Sequence, residues 1–172
     1  NQILKKLSIN PDIDDEFIEH ELSFSNYIKE IISSFESISK KKFFFQNKQD
    51  TNPLKLKRSI EIIYGLRNFI GNANKFAKEK IFITANSDSE MTEVIIEDDG
   101  DGFSKDILDK IGEPYIRTKG KNNNKSGLGL GIFIGGTLLE RNHAKVICRN
   151  SLTRNGAEVI IKWKNKDLKT LI

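Results

Sequence analysis

Apolar residues recur at the spacing of one buried helix face in the first half of the chain. The clearest stretch begins near Ser23 and Ser25, either of which can cap a helix. Its apolar positions are Phe24, Tyr27, Ile28, Ile31, Ile32 and Phe35. The longest stretch covers about 57–78, and another helix is expected from Gly127 to about Glu140. A shorter helix is predicted to open at Ser104 and to run through Lys110.

Shorter apolar segments, alternating or unbroken, predict strands in the rest of the chain. The predicted strands are Phe43–Phe45, Lys80–Ala85, Met91–Glu97, 144–149 and 156–163, and a turn at Asn86–Ser89 joins the second to the third. No repeat and no linker separates two cores. This order predicts an α/β (α+β) two-layer sandwich, with a mixed sheet of about five strands and about three helices on one face.

Composition narrows the class of protein without choosing a function. The chain has 172 residues, enough for one domain with a core, and its single Cys excludes a disulfide framework or a zinc site built on several thiolates. That residue, Cys148, fits a small buried hydrophobe better than a redox sensor. The net charge of +4 is too small to indicate nucleic-acid binding, and no apolar run reaches the roughly 18 residues of a membrane span. We expect no nucleic-acid partner and no membrane contact by this part of the protein.

Two asparagines stand one turn apart in the longest predicted helix, within the segment NFIGNANKFA. Asn68 and Asn72 each stand next to an apolar residue, although Asn disfavours helix interiors because its amide competes for backbone hydrogen bonds. Tolerated helix asparagines are one explanation. The alternative is that their amide oxygens bind Mg²⁺, which takes few protein ligands and keeps waters and phosphates in its shell.

The acidic turn DDGDGF at Asp98–Phe103 is a second candidate site. A plain strand-to-helix connection explains it, since Asp-Gly pairs are common in turns. A calcium loop fails, because the twelfth position is Leu108 and not a bidentate Glu. A further use is that Asp98, at the end of an apolar strand, accepts a hydrogen bond from an exocyclic amine, while Gly100 and Gly102 admit a flat base.

The glycine run GLGLGI at Gly127–Ile132 matches neither the Walker loop nor GxGxxG. It places flexible backbone immediately before a helix, whose N–H groups and positive dipole end favour an anion. A close helix contact is the other explanation for these glycines. The preceding segment, 112–126, is basic and lacks core periodicity, which is typical of a functional or mobile loop.

In this order, the asparagine helix, acidic turn, basic loop and glycine run resemble the N, G1, lid and G2 boxes of the GHKL ATPase superfamily. The resemblance covers roughly 57–163. The stretches GEPYIRTK (112–119), GLGLGIFI (127–134) and TLLERNHA (137–144) are similar to the catalytic domain of sensor histidine kinases of the RegB, PrrB and ActS type. The resemblance implies a Bergerat-type ATP-binding fold with ATP and Mg²⁺ as ligands.

The same resemblance implies a role for each residue of these boxes. Asn72 would coordinate Mg²⁺ with Asn68 in support, and Lys75, Arg117 and Lys119 would contact the phosphates. Asn72, Lys75 and Arg117 are the implied catalytic residues. The implied nucleotide-binding residues are Asn68, Asn72, Lys75, Phe76, Asp98, Gly100, Gly102, Arg117, Lys119, Ser126, Gly127, Leu128 and Gly129. Of these, Phe76 and Asp98 would meet adenine, and Gly127 and Gly129 would form a hinge.

Three departures from the family pattern concern the G2 helix. Lys125 stands at the first G2 glycine, Gly135-Gly136 replaces Ala-Lys and lowers helix propensity by about 1 kcal/mol per Gly, and His143 replaces a helix-ending Gly. We expect these changes to affect rate or stability more than nucleotide binding.

Domain boundaries and partners also follow from the resemblance. Residues 1–12 are expected to be the end of a dimerisation helix and a linker, and 13–172 the catalytic domain with a lid at about 112–126. The acceptor His is expected upstream of this chain and not at His20. Expected partners are that dimerisation domain and a response regulator, in a homodimeric parent anchored in the bacterial inner membrane with this domain in the cytoplasm.

The reaction implied is phosphoryl transfer to a protein histidine. Hydrolysing relatives carry a Glu one turn before the metal-binding Asn, whereas this chain has Asn68, and an amide is no general base. Two alternatives stay open: a degenerate nucleotide-binding module that regulates a partner, and a Ser/Thr kinase of the anti-sigma-factor kind.

Overall fold

The computed structural model describes residues 22–49, 54–56, 59–111 and 128–169. The predicted linker at 1–12 and the predicted lid at 112–126 lie outside these residues, as does His20. The described elements, in chain order, are β1 (Leu22–Ser23), α1 (Phe24–Glu36), β2 (Lys42–Gln49), β3 (Lys55–Leu56), α2 (Ile60–Phe76), β4 (Lys80–Ser87), β5 (Met91–Asp98), α3 (Lys105–Leu108), α4 (Leu128–Arg141), β6 (Lys145–Asn150), β7 (Ala157–Lys164) and α5 (Asn165–Lys169).

The helices begin where the capping residues allow. The Ser23 hydroxyl accepts from the N–H of Asn26 at 3.3 Å, and Ser59 accepts from the N–H of Ile62 at 3.3 Å, so each serine satisfies a backbone donor of the first turn. His143 follows α4 with a φ of 63°, in the left-handed region where glycine is usual. The segment after α4 therefore takes the left-handed conformation that usually ends a helix, although His143 stands there in place of glycine.

The main sheet has five strands in the order β2-β4-β5-β7-β6. β2 and β4 are parallel and are joined through α2, while the other neighbouring strands are antiparallel. The mixed five-stranded sheet predicted from the sequence is confirmed. Because β2 and β4 are parallel, the connection between them must cross over the sheet, and α2 forms this crossover. Helix α2 therefore packs on the sheet and contacts β5.

One face of the sheet carries the core. Helices α1, α2 and α4 cover this face, as predicted, and alternate strand residues point into it. Trp163 of β7 packs edge-on against Phe24 of α1, with ring centroids 5.8 Å apart. Burial raises the pKa of Cys148 on β6 to about 12, so this thiol stays protonated and packs as a hydrophobe. Among the described helices, none is long and apolar enough to cross a membrane.

Several predicted boundaries are wrong. β2 extends to Lys42–Gln49 because its backbone pairs with β4 along its whole length, polar residues included. The turn predicted at Asn86–Ser89 starts later, after Ser87, and the helix predicted from Ser104 to Lys110 shrinks to one turn. Two features were missed: the short pair of β1 with β3, and α5, which follows β7 directly.

Candidate functional site

A cleft of about 250 Å³ opens between α2, α4, the ends of β5 and β7, and the turn after β5. Its walls are mainly apolar, and its polar side chains include Asn72, Asp98, Asp101 and Ser104. The other lining residues are Phe69, Ala73, Phe76, Ile96, Gly102, Phe103, Ile107, Ile132, Ala157 and Val159. The asparagine helix and the acidic turn therefore meet at one cavity, although they are separated in the sequence.

Asp98 is the buried acid of this cleft, with 3% of its surface exposed. Its Oδ1 accepts hydrogen bonds from the N–H groups of Gly100 at 2.8 Å and Ala157 at 3.2 Å. Burial raises the pKa of Asp98, although these two bonds oppose the rise. No described residue donates to Oδ2, so this oxygen is available to a donor that enters the cleft.

Backbone packs closely around the Asp98 carboxylate at two glycines. A Cβ at Gly100 would lie 2.4 Å from the carbonyl oxygen of Phe76, and one at Gly156 would lie 2.0 Å from that of Asp98. Gly100 was a predicted site residue, but Gly156 was missed, since Asn155-Gly156 looks like an ordinary hairpin turn. We call Asp98 with Gly100, Gly156 and Ala157 the acidic region of the cleft.

Asn68 and Asn72 form the amide region. The Nδ2 of Asn72 is buried and has no hydrogen-bond partner among the described residues, whereas the Nδ2 of Asn68 donates to the carbonyl of Tyr64 at 2.8 Å. Both amide oxygens face α4: a Cβ built on Gly131 would lie 3.2 Å from Oδ1 of Asn72 and 3.7 Å from Oδ1 of Asn68. The glycine at 131 thus keeps the space beside both oxygens open.

Magnesium fits the amide region by the chemistry of its donors. Both Asn side chains offer the neutral oxygen ligands that Mg²⁺ accepts beside phosphates and waters. The Oδ1 of Asn72, which faces Gly131, is the candidate ligand, whereas its buried Nδ2 is a donor that a phosphate oxygen can satisfy. No set of three or more His, Cys, Asp or Glu side chains that could hold a metal occurs in the described part of the chain.

The remaining predicted residues divide into those near the cleft and those not described. Phe76 and Gly102 line the cleft, and the Lys75 ammonium lies 5.2 Å from the centroid of the Phe76 ring. Leu128 and Gly129 open α4. The other predicted positions lie outside the described residues: Arg117, Lys119, Ser126 and Gly127.

Lys41 supports the end of α2 and was missed by the sequence analysis, because it stands in an unremarkable run of three lysines. Its ammonium donates to the carbonyl of Asn74 at 2.5 Å and to that of Ala77 at 2.6 Å. A cation at this place satisfies the last carbonyls of the helix and opposes the negative end of its dipole. Lys41 therefore fixes the turn of α2 that carries Lys75 and Phe76.

Asp99 connects the acidic turn to the segment that follows α2. Its Oδ1 accepts from the N–H of Lys78 at 2.8 Å and of Glu79 at 3.0 Å. Burial acts in the other direction, but backbone donors at Lys80, Glu79 and Lys78 hold the pKa of Asp99 below its usual value. These bonds hold the acidic turn against the start of β4.

Comparison with known proteins identifies the family of this chain. Residues 58–167 match the family described as histidine kinase-, DNA gyrase B-, and HSP90-like ATPase. The chain is 36% identical over 108 residues to the sensor histidine kinase RegB of Cereibacter sphaeroides, an overlap of 59% of this chain and 23% of that protein. It is 33% identical over 86 residues to the histidine protein kinase SaeS of Staphylococcus aureus, covering 47% of this chain and 24% of that protein.

The fold has solved counterparts. The catalytic domain of the histidine kinase ThkA superposes with a TM-score of 0.67 at 25% identity, over 85% of this chain and 97% of that domain. The chain spans about a quarter of the length of the curated relatives it matches. The chain belongs to the histidine kinase-, DNA gyrase B- and HSP90-like ATPase family. Within that family, its similarity places it among the ATP-binding catalytic domains of sensor histidine kinases.

Proposed function

We propose that this domain transfers the γ-phosphoryl group of ATP to a histidine supplied by a separate dimerisation domain. One observation carries the proposal: Asp98 and Asn72, which come from different elements, line the same mainly apolar cleft. A buried carboxylate suits the exocyclic amine of adenine, and an unpartnered amide suits the metal-bound phosphates. Both ends of a nucleotide thereby find a complementary group.

Asn72 would hold Mg²⁺ in this domain, and Asn68 would support it from one turn earlier. When bound, the ion supplies positive charge that neutralises the phosphates. The two asparagine side chains fix where that charge sits, because α2 holds them on the side that faces α4. The proposed role of Asn72 is therefore to orient the phosphates relative to the base held at Asp98.

Cations would complete the phosphate contacts. Lys75 is exposed at the end of α2, and its stem lets the ammonium leave the Phe76 ring for a phosphate. We assign Arg117 and Lys119 to the γ-phosphate and Gly127 and Gly129 to the hinge of the lid, with Ser126 and Leu128 beside them. The positive charges of Lys75, Arg117 and Lys119 would stabilise the negative charge that spreads over the transferred phosphoryl group.

The available carboxylates favour transfer over hydrolysis. Among the described residues that line the cleft, the carboxylates are Asp98, the last residue of β5, and Asp101 in the turn that follows. Asn68 holds the position where a general base would stand, and its amide donates to the helix backbone. The described residues thus offer no carboxylate at that position to activate water, while an imidazole would bring its own nucleophilic nitrogen.

The proposal extends to the parent protein. We assign 1–12 to the end of the dimerisation helix and the linker, and 13–172 to the catalytic domain with its lid at about 112–126. The parent would be a homodimer anchored in the bacterial inner membrane, with this domain in the cytoplasm, and would pass its phosphoryl group to a response regulator. These assignments rest on the similarity to RegB.

The test is a transfer assay with γ-labelled ATP, Mg²⁺ and a purified dimerisation domain that carries the acceptor histidine. We expect acid-labile label on that domain and none on the catalytic chain alone. Asn72→Ala and Asp98→Asn should stay folded and lose transfer, whereas Asn86→Ala, the same truncation away from the cleft, should retain it. Nucleotide binding without transfer would favour the degenerate module, label on Ser or Thr the anti-sigma-type kinase, and stable label at His20 would place the acceptor in this chain.

A further inference from the structure

The β6–β7 hairpin holds the last residue of the acidic turn through one side chain. The Oδ1 of Asn150, at the end of β6, accepts from the N–H of Phe103 at 2.6 Å, and its Nδ2 donates to the carbonyl of Phe103 at 2.9 Å. A single amide thus occupies both backbone groups of one residue, as a neighbouring strand would. Phe103 is 8% exposed and forms part of the cleft wall.

The same hairpin holds the first residue of the turn. Ala157 pairs directly opposite Asn150 in the β6–β7 ladder, and its N–H donates to Oδ1 of Asp98. The hairpin is closed by a bond of 2.8 Å from the N–H of Ser151 to the carbonyl of Gly156. Asp98 and Phe103, which begin and end the turn, are therefore both hydrogen-bonded to the same hairpin.

The approach of Asn150 depends on the residue before Phe103. Gly102 has a φ of 75°, and a Cβ there would lie 2.7 Å from Oδ1 of Asn150. Any other residue would strain the backbone and displace the amide. The glycine and the asparagine, which are far apart in the sequence, therefore form one arrangement.

We infer that Asn150 is a positioning residue of the adenine pocket, which sets the Asp98–Phe103 turn at the separation that fits the base. The inference rests on the proposed function, because it concerns the same pocket. Asn150 acts through Phe103 and is not among the described residues that line the cleft. Holding the turn before the ligand arrives removes part of the ordering cost of binding, so its loss should weaken affinity for adenine in a fully folded protein.

The test compares ADP with inosine diphosphate, which carries an oxygen in place of the amine, by calorimetry at a temperature where all variants are folded. Asn150→Ala should weaken ADP binding about tenfold, since two hydrogen bonds are lost. It should weaken inosine diphosphate binding less, so that the preference for adenine shrinks. Leu152→Ala, the matched truncation of an exposed residue in the same hairpin, should leave both affinities unchanged.

A second variant, Asn150→Asp, and hydrogen exchange of the Phe103 amide test the inference even if Asn150→Ala does not fold. The aspartate keeps the acceptor for the Phe103 N–H and loses the donor, so its ADP affinity should lie between those of the wild type and Asn150→Ala. The Phe103 amide of the nucleotide-free wild type should be protected from exchange. Wild-type ADP affinity in Asn150→Ala, equal losses for both nucleotides, or an unprotected Phe103 amide would each overturn the inference.

Failure of the inference and failure of the proposed function give different results. If the wild type binds ADP and Asp98→Asn does not, the adenine pocket stands, and a normal Asn150→Ala removes only the role given to Asn150. If the wild type binds neither nucleotide, both proposals fail together.

Discussion

The acidic region and the amide region meet at one cleft, which Asp98 and Asn72 line, but they differ in how many of their polar groups already have partners. In the acidic region, Asp98 already accepts two backbone hydrogen bonds, and Gly156 brings the neighbouring backbone close to its carbonyl. In the amide region, Nδ2 of Asn72 is buried without a partner among the described residues. The first region is organised before a ligand arrives, whereas the second has hydrogen-bonding capacity that a ligand would use.

This difference separates selectivity from affinity. A fixed carboxylate rejects a base that lacks the amine, because its second oxygen would then stay buried and unpaired. A buried, unpartnered amide costs about 1–3 kcal/mol, and a ligand that satisfies it recovers that free energy on binding. We therefore expect the acidic region to choose the base and the amide region to make binding depend on Mg²⁺.

Asp98→Asn should have the largest effect. Replacing the charged acceptor removes a charge-assisted hydrogen bond of about 1.5–3 kcal/mol, so ADP affinity should fall about 100-fold. The thermal midpoint of the free protein should not fall, because a neutral amide is cheaper to bury than the carboxylate it replaces. Calorimetry with ADP and a thermal melt check the two statements, and normal ADP affinity would show that Asp98 does not meet the base.

Asn72→Ala should separate the two regions. We expect it to remove the increase in ATP affinity that Mg²⁺ gives, a loss of about tenfold, since one metal ligand is removed. Affinity for ADP without Mg²⁺ should stay normal, because Asp98 and the cleft wall are unchanged. Titration of both proteins with and without Mg²⁺ measures this, and an equal loss under both conditions would mean that the regions are not independent.

Alanine at two neighbouring glycines should give opposite results. A Cβ at Gly136 meets nothing within 4 Å, so Gly136→Ala should stabilise the fold by about 1 kcal/mol through helix propensity. A Cβ at Gly135 would lie 2.9 Å from Cβ of Asn68, so Gly135→Ala should gain no stability and should disturb the amide region. Denaturant melts of the pair check this, with the Mg²⁺ dependence of ATP binding as a second measurement.

Acidification should have the smallest effect and should act on the acidic region. Because burial raises the pKa of Asp98, the carboxylate takes up a proton at a higher pH than an ordinary Asp, and ADP affinity should fall a few-fold as pH drops towards that pKa. Stability has the opposite sign: a raised pKa favours the folded state at low pH, and this contribution is lost as pH rises through the folded pKa. Asn72→Ala should retain the pH response of binding, and Asp98→Asn should lose it.

The sequence could predict the parts of this site that depend on local signals. The spacing of Asn68 and Asn72, the acid at the end of β5 and the glycines at the start of α4 are visible within short segments, and so are the principal helices. The contacts of Gly156, Ala157 and Asn150 with the acidic turn join residues that are far apart in the sequence. No pattern within their own segments predicts these contacts. The β1–β3 pair was missed because strands of two residues are too short to show an alternation of apolar and polar positions.

The strand order has a consequence for how the isolated domain behaves at high concentration. In the described part of the chain, the border strands of the five-stranded sheet are β2 and β6, whose sequences are KFFFQNKQ and KVICRN. Each carries basic residues near both ends, and such charges discourage two copies from joining border to border into a continuous sheet. The purified domain should therefore resist aggregation even though the stacked rings of Phe44 and Phe82 lie near one of these borders.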